Sequence, residues 1–398
     1  MNKRLRVLFL TARFPYPLIG GDRLKPYYIL KYLGKHCDVT LVTFHQGADL
    51  PKSYINEIEK LGVKLIVIPL DPVSAGLRAG MKLLTKSPLE IDYYYSSSFK
   101  KAVEALQPEK NFDVAIAFFM RTAEYIKNLR IPKILMAEDC RTIYQYRSYR
   151  ESTSLLQKIV RRWEYNKLKK YEPEIVKYFD IVTFVSNDDI KEMQKLNSGV
   201  EYRLLSNGVD LNRYTFNNDI KNREGILFAG KLDVWANQIM INTIVNEILP
   251  EILAKLPEVE FHIAGAKPPH SVMSLKSKKN IKLHIDVPDM LPYLHSARLF
   301  LHPHSGGSGI QNKLLEAMAS GCPVITTPTG NQGIYAKNEE SAIICNTKEE
   351  MIRYAIKILK DDEFASKLAN NARVLIEEKH SWDAIYKQLD DIFTELLD

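Results

Sequence analysis

With 398 residues, 45% of them hydrophobic and 26% charged, the chain exceeds what one hydrophobic core supports and lacks a disorder signature, so two folded domains are expected. The formal net charge of +7 sits in the first half: residues 1–200 carry 33 Lys and Arg against 22 Asp and Glu, the remainder 22 against 26. That half favours an anionic partner, and no nucleic-acid-binding motif accompanies the charge, so nucleic acid is not the expected partner.

The opening MNKRLRVLFLTARFPYP has the basic start of a secretion signal, but its apolar run, residues 7–12, is too short and ends at Arg13. A buried first strand over residues 6–11 is expected instead. Further strand-like runs follow at 39–44, 63–69, 114–119, 133–136 and 181–186, and a second series at 226–229, 260–264, 281–284, 299–302, 323–326 and 342–345. Helical patterns lie between them, among them 24–33, 238–256 and 311–320. Apolar runs alternating with helices indicate parallel sheets covered on both faces, one per half. The polar stretch SNGVDLNRYTFNNDIKNREG predicts a linker over 204–224 between domains at 1–203 and 225–379. Residues 380–398 form a periodic amphipathic helix that should pack on a domain surface, the N-terminal domain being one candidate. No apolar run reaches the length of a membrane span. Cys37, Cys140, Cys322 and Cys345 form no Cys-x-x-Cys or Cys/His cluster, so neither a disulfide framework nor a zinc site is expected, and reduced thiols in a cytoplasmic protein fit best.

Ligands of open parallel sheets bind beyond the carboxyl ends of the strands. Three such places carry informative residues. In FPYPLIGGD, Gly20 and Gly21 allow close backbone approach ahead of a helix N-terminus, with Arg13 and Arg23 flanking. In HPHSGGSGIQNKLLEAMASGCPVITT, residues 302–327, a glycine loop opens a helix, an arrangement whose N–H groups can cradle an anion. Glu316 on that helix can accept paired hydrogen bonds from vicinal hydroxyls, against the plainer reading of a solvated helical glutamate. In AEDCR, Glu138, Asp139 and Arg141 follow a strand end, where a capping role for Asp139 is the alternative.

These residues resemble a known family. GIQNKLLEAMASGCPVITT is similar to the donor-site motif of glycosyltransferase family 4, and SNGVD at 206–210 to its interdomain signature. LFAGKLDVWANQ, LFLHPHSGGSG and the closing SWDAIYKQL match in place and order. FPYPLIGGDRLK, FVSN and GIQNK are similar to a bacterial branch associated with exopolysaccharide-type sugar transfer. The resemblance implies the α/β GT-B fold, two doubly wound Rossmann-like domains with a cleft between them. It implies a hexosyltransferase that moves a sugar from a nucleotide-diphosphate sugar with retention at the anomeric carbon, without metal or other cofactor. Glu316 falls on the glutamate that binds the donor ribose, Gly20 and Gly21 on a loop facing the donor phosphates, and Lys231 on a phosphate-binding arginine. Ser308 stands in place of the family's first motif glutamate, and Ala236 where a second phosphate-binding lysine is usual. Those two losses motivate the alternative of a non-catalytic nucleotide-sugar-binding scaffold or regulatory subunit.

On this reading Ser308, Gly309 and Ile310 of the glycine loop line the donor. Lys313 lies in the first turn of its helix, where partial positive charge already disfavours a cation. A bound diphosphate would satisfy both, so Lys313 is expected to replace the missing lysine. Asp139 or Glu138 is expected to face the reacting sugar as the catalytic carboxylate, and Arg13, Arg23 and Arg141 to hold the acceptor. The acceptor is expected to be a glycan, a lipid-linked group or a protein. LRAGMKLLTK at 77–86 and LLQKIVRRWEYNKLKK at 155–170 mix apolar and basic residues, which makes an anionic membrane surface a further candidate partner and the inner face of the membrane a candidate location. The competing reading of the second stretch is an ordinary amphipathic helix with its apolar face in the core.

Overall fold

The computed structural model describes residues 4–47, 49–152, 154–306 and 309–397. The chain divides into two units, the first reaching to Ser206 and regaining the chain from Tyr386 onward, the second comprising Asn207–Ile385.

The sheet of the first unit has seven strands: β1 (Arg6–Thr11), β2 (Asp38–Gln46), β3 (Lys64–Leu70), β4 (Val114–Phe118), β5 (Lys133–Glu138), β6 (Ile181–Phe184) and β7 (Tyr202–Leu204). Their order is β3-β2-β1-β4-β5-β6-β7 and every pairing is parallel. Parallel neighbours need crossover helices, so both faces are covered and the strands read as unbroken apolar runs. Val7, Leu8, Phe9 and Leu10 are accordingly all fully buried. Leu8 and Leu10 share a core with Phe44, Phe99, Leu135 and Val182. β5 runs two residues further than the sequence predicts. Glu138 is thus its last residue rather than part of the following loop, with an irregular register between Met136 and Glu138 and a φ of 73° at Glu138. β7, three residues long, is too short to carry a periodicity of its own.

The second sheet comprises β8 (Glu224–Ala229), β9 (Phe261–Gly265), β10 (Ile281–Ile285), β11 (Ala297–His302), β12 (Val324–Thr326) and β13 (Ile343–Ile344). Its order is β10-β9-β8-β11-β12-β13, again all parallel. Side chains alternate between two cores, as a pleated strand requires. Ile226, Phe228, Leu299 and Leu301 face one cluster, while Leu227, Ala229 and Phe300 face the other. The single helix expected over 238–256 is instead interrupted: Trp235–Thr243 is α-helical, Ile244–Ile248 widens into a π-turn, and Leu249–Leu253 resumes the helix. Pro250 explains the break, because it has no N–H to donate to the preceding turn.

Residues 207–223, expected as a linker, pack on the second unit. Val209 N–H donates to the carbonyl of His380 at 2.8 Å. Tyr214 is buried in the core. Arg223 spreads its guanidinium over the carbonyls of Leu294, Ala297, Asn217 and Ser320. Gly208 lies under the Trp382 ring, where a Cβ would fall 2.6 Å from the indole Cδ2. The last helix, Trp382–Leu397, begins in the second unit and ends in the first. All four cysteines are buried free thiols. Among the described residues no helix is long and apolar enough to cross a membrane, and no group of His, Cys, Asp and Glu could hold a metal ion.

Candidate functional site

In the second sheet the strand order reverses direction between β8 and β11, which opens a crevice at their carboxyl ends. β8 runs out into Gly230 and Lys231. β11 ends at His302 and leads through the glycine loop to the Asn312–Ala319 helix, with Gly309 at a φ of 73° and Ile310 packed against the core. Ser308 lies outside the described residues. The first N–H groups of a helix have no intrahelical partners, so those at the start of the Asn312–Ala319 helix can meet a ligand.

Two ionisable side chains of this helix meet partners that the sequence did not indicate. Lys313 Nζ donates to Asn237 Oδ1 at 2.5 Å and lies 5.1 Å from the centre of the Phe228 ring. Asn237 Nδ2 in turn donates to the carbonyl of Lys231 at 2.7 Å. Asn237 therefore ties the β8 loop to the helix. Burial pulls the Lys313 ammonium down to about 8, against the opposing pull of Glu316. Glu316, one turn along, is partly buried, not solvated. Burial pushes its carboxyl up to about 7, while a hydrogen bond from Tyr214 and the nearby charges of Arg213 and Lys313 pull it down. Asn207 of the SNGVD segment fixes the helix start, its Nδ2 donating to Asn312 Oδ1 at 2.8 Å. Fully buried His302 shares a hydrogen bond with Thr326 Oγ1 at 3.0 Å, and burial with the charge of Lys313 keeps its imidazole neutral. Glu316, Lys313, Gly309, Ile310 and Lys231 are thus assembled around one helix N-terminus. Tyr214 and Asn237 complete the group and were legible only as a tyrosine and an asparagine in polar loops.

In the first unit the corresponding reversal lies between β1 and β4. Gly20, at φ 96° and ψ 150°, caps the helix Gly21–His36, a conformation that side chains with a Cβ rarely adopt. Arg13 reaches back to that helix, donating to Asp22 Oδ2 at 2.7 Å and to the Tyr94 hydroxyl at 3.2 Å. Arg23 lies in the same first turn, where its N–H donates to the Gly20 carbonyl at 3.1 Å. Lys25, which sequence reasoning missed, is fully buried. Its Nζ meets Glu138 Oε1 at 2.7 Å and the Leu205 carbonyl at 2.7 Å. A lysine followed by the apolar run PYYIL was the only signal for it. Burial drives the Glu138 carboxyl up to about 7 against the pull of Lys25. Asp139 pairs with Arg141 at 3.2 Å, and Arg141 also meets Glu90 at 3.1 Å, so its charge is already matched by two carboxylates. The N-terminus of the Arg141–Glu151 helix is satisfied by Glu172, which accepts the N–H groups of Arg141 and Thr142 at 2.9 and 2.8 Å. Asp139 makes no side-chain cap there, and Cys140 occupies the cap position.

Residues 223–361 match the family model for glycosyl transferases group 1. The whole chain is similar to an uncharacterized 44.6 kDa protein of the cps region of Klebsiella pneumoniae, at 22% identity over 96% of this chain and 98% of the relative. Among solved structures, Anabaena HepE in complex with UDP and glucose superposes with a TM-score of 0.66 at 16% identity, covering 98% of this chain and 100% of that one. WaaG, a glycosyltransferase involved in lipopolysaccharide biosynthesis, superposes with a TM-score of 0.65 at 18% identity, over 97% and 99% of the two chains. The chain therefore has the GT-B fold, and residues 223–361 of its second unit are similar to the glycosyl transferases group 1 domain.

Proposed function

We propose that the protein is a retaining, metal-independent glycosyltransferase that moves a hexose from a nucleoside-diphosphate sugar to an acceptor in the synthesis of a surface or extracellular glycan. The observation that carries this reading is the placement of Lys313 and Glu316 one turn apart on the helix that follows the glycine loop at the β8–β11 reversal. In the transfer the bond between the anomeric carbon and the diphosphate oxygen breaks, the acceptor oxygen takes the sugar, and the acceptor's proton is lost. The leaving diphosphate gains negative charge, and stabilising it is the main physical task. Lys313 and the free N–H groups of its helix supply positive charge for that purpose. Glu316, held by Tyr214, accepts hydrogen bonds from the vicinal hydroxyls of the ribose. Asp139, which is partly exposed, or Glu138, which is buried against Lys25, is assigned to the proton or the cationic ring. HepE has been solved with UDP and glucose and with UDP-glucose, which makes UDP-sugars the first donors to try. The Klebsiella relative of the cps region supports a role in polysaccharide synthesis.

Calorimetric titration with a panel of nucleoside diphosphates and their sugars tests the reading, with nucleoside diphosphate release as the readout of transfer. Glu316→Ala should stay folded and lose most of its affinity for the preferred nucleotide. Unchanged binding would remove Glu316 from the site, and no binding by any member of the panel would remove the donor altogether.

A further inference from the structure

The first unit leaves an unusual amount of apolar surface uncovered, and it does so in one region. Of the seventeen large apolar side chains exposed among the described residues, nine fall in two short segments. One is the helix Pro72–Met81 with the turn after it, where Val73, Leu77 and Met81 are exposed and Leu84 fully so. The other is the first part of the helix Leu155–Ile175, where Leu155 and Leu156 are 74% and 71% exposed and Ile159 and Val160 about half so. The amphipathic pattern of 155–170 therefore does not bury all of its apolar residues in the core. Glu164, Lys167 and Leu168 face inward instead.

The two segments adjoin. Lys167 Nζ donates to the carbonyls of Leu83 and Ser87, both at 2.9 Å, and Glu164 accepts the N–H of Leu89 at 3.1 Å. Residues 156, 160, 163 and 167 step by four, three and four, so they form one stripe along the helix. That stripe runs from the exposed leucines directly to the turn that carries Leu83 and Leu84. Trp163 sits on it, with the Lys167 ammonium 3.8 Å from the centre of its ring.

The cations of the region outnumber its carboxylates, although Asp71 caps the Pro72–Met81 helix and Lys82 meets the buried Asp92 at 3.2 Å. Residues 72–86 contain Arg78, Lys82 and Lys86, residues 154–163 contain Lys158, Arg161 and Arg162, and neither stretch contains an Asp or Glu. We propose that this surface, the Pro72–Met81 helix and its turn together with the start of the Leu155–Ile175 helix, docks the protein on an anionic lipid bilayer, with the leucines entering the headgroup boundary and the basic residues meeting lipid phosphates. Apolar side chains flanked by Lys86, Lys158, Arg161 and Arg162 match an interface that is apolar within and negative at its surface. A second copy of the chain is the wrong occupant. A two-fold interface would set Lys86, Lys158, Arg161 and Arg162 against the same four cations of the other copy.

Co-sedimentation of the full chain with phosphatidylcholine vesicles, and with vesicles in which part of that lipid is replaced by phosphatidylglycerol, tests the proposal. Binding should be confined to the anionic vesicles and should weaken as salt is raised. Leu84→Asp with Leu156→Asp changes two exposed side chains, so the melting temperature should hold while vesicle binding falls at least about tenfold. Neutralising Lys86 and Lys158 to Gln should cost about fivefold for each cation removed. Equal binding to neutral vesicles, no binding at all, or leucine variants that bind like the wild type would overturn the proposal. So would a concentration-dependent dimer that the same leucine variants dissolve, since that result gives the surface to a second copy. The assay needs no sugar donor, so its failure and a failure of the transfer reading are separable.

Discussion

Glu316 and Lys313 stand one helical turn apart, and burial moves their ionisations toward each other, the carboxyl up to about 7 and the ammonium down to about 8. A carboxylate that accepts two ribose hydroxyls must be ionised, so nucleotide affinity should rise as pH climbs through about 7. The ammonium that faces the diphosphate must be protonated, so affinity should fall again as pH passes about 8. Titration calorimetry with a nucleoside diphosphate should therefore give a bell-shaped profile with its maximum between those values. Glu316→Gln should remove the acid limb. Lys313→Ala should remove the alkaline limb and should weaken the diphosphate far more than the monophosphate. Equal loss for both nucleotides would return Lys313 to a purely structural place beside Asn237. The two titrating residues could be read from the sequence because the loop, the helix start and the glutamate are local to one another. Their partners could not. Asn237 is 76 residues from Lys313 along the chain, and only the folded sheet brings β8 beside β11. Lys25 was hidden for the same reason, since its counter-charge Glu138 lies far along the chain at the end of β5.

At the scale of elements, strands buried on both faces announce themselves by continuous apolar runs, which is why β1 and β4 to β6 lie where the sequence puts them to within two residues. β7 and the π-turn at Ile244–Ile248 escape because each depends on a neighbour, β6 for one and the bond missing at Pro250 for the other. The SNGVD segment shows how a motif can be plain in sequence and opaque in purpose. Its asparagine anchors the Asn312–Ala319 helix, and its glycine makes room for the indole of the closing SWDAIYKQL segment. Gly208→Ala should therefore push Trp382 aside and cost about 1–3 kcal/mol, the usual penalty of overpacking. Denaturant unfolding measures the loss, and the indole emission should shift as the ring gains water. A variant as stable as the wild type, with unaltered emission, would show that the ring yields freely.

At the scale of the molecule, both sheets share the same doubly wound order, which reverses between β1 and β4 in the first and between β8 and β11 in the second. The charge is not shared, since the basic excess belongs to residues 1–200. The end of the chain returns to the first unit. Tyr386 stacks on Tyr32 with ring centres 4.3 Å apart and donates to the Tyr28 carbonyl at 3.2 Å. Asp390 accepts from the Tyr32 hydroxyl at 2.6 Å, and Gln388 accepts the N–H of Ser206 at 3.0 Å. The amphipathic pattern of the last helix was evident in the sequence, but a periodic stripe does not name the surface that covers it. Leu389, only 1% exposed, lies at the middle of this return. Leu389→Asp places an unpaired carboxylate in apolar surroundings, which costs several kcal/mol or forces the helix end to detach. Hydrogen exchange should then show amides of β1 and of the Gly21–His36 helix losing protection, because Tyr28 and Tyr32 lose their cover. Amides of β8 and β11 should keep theirs, and nucleotide affinity should change little. If protection falls equally throughout residues 223–361, the last helix supports the second unit as well, and its assignment to the first must be abandoned.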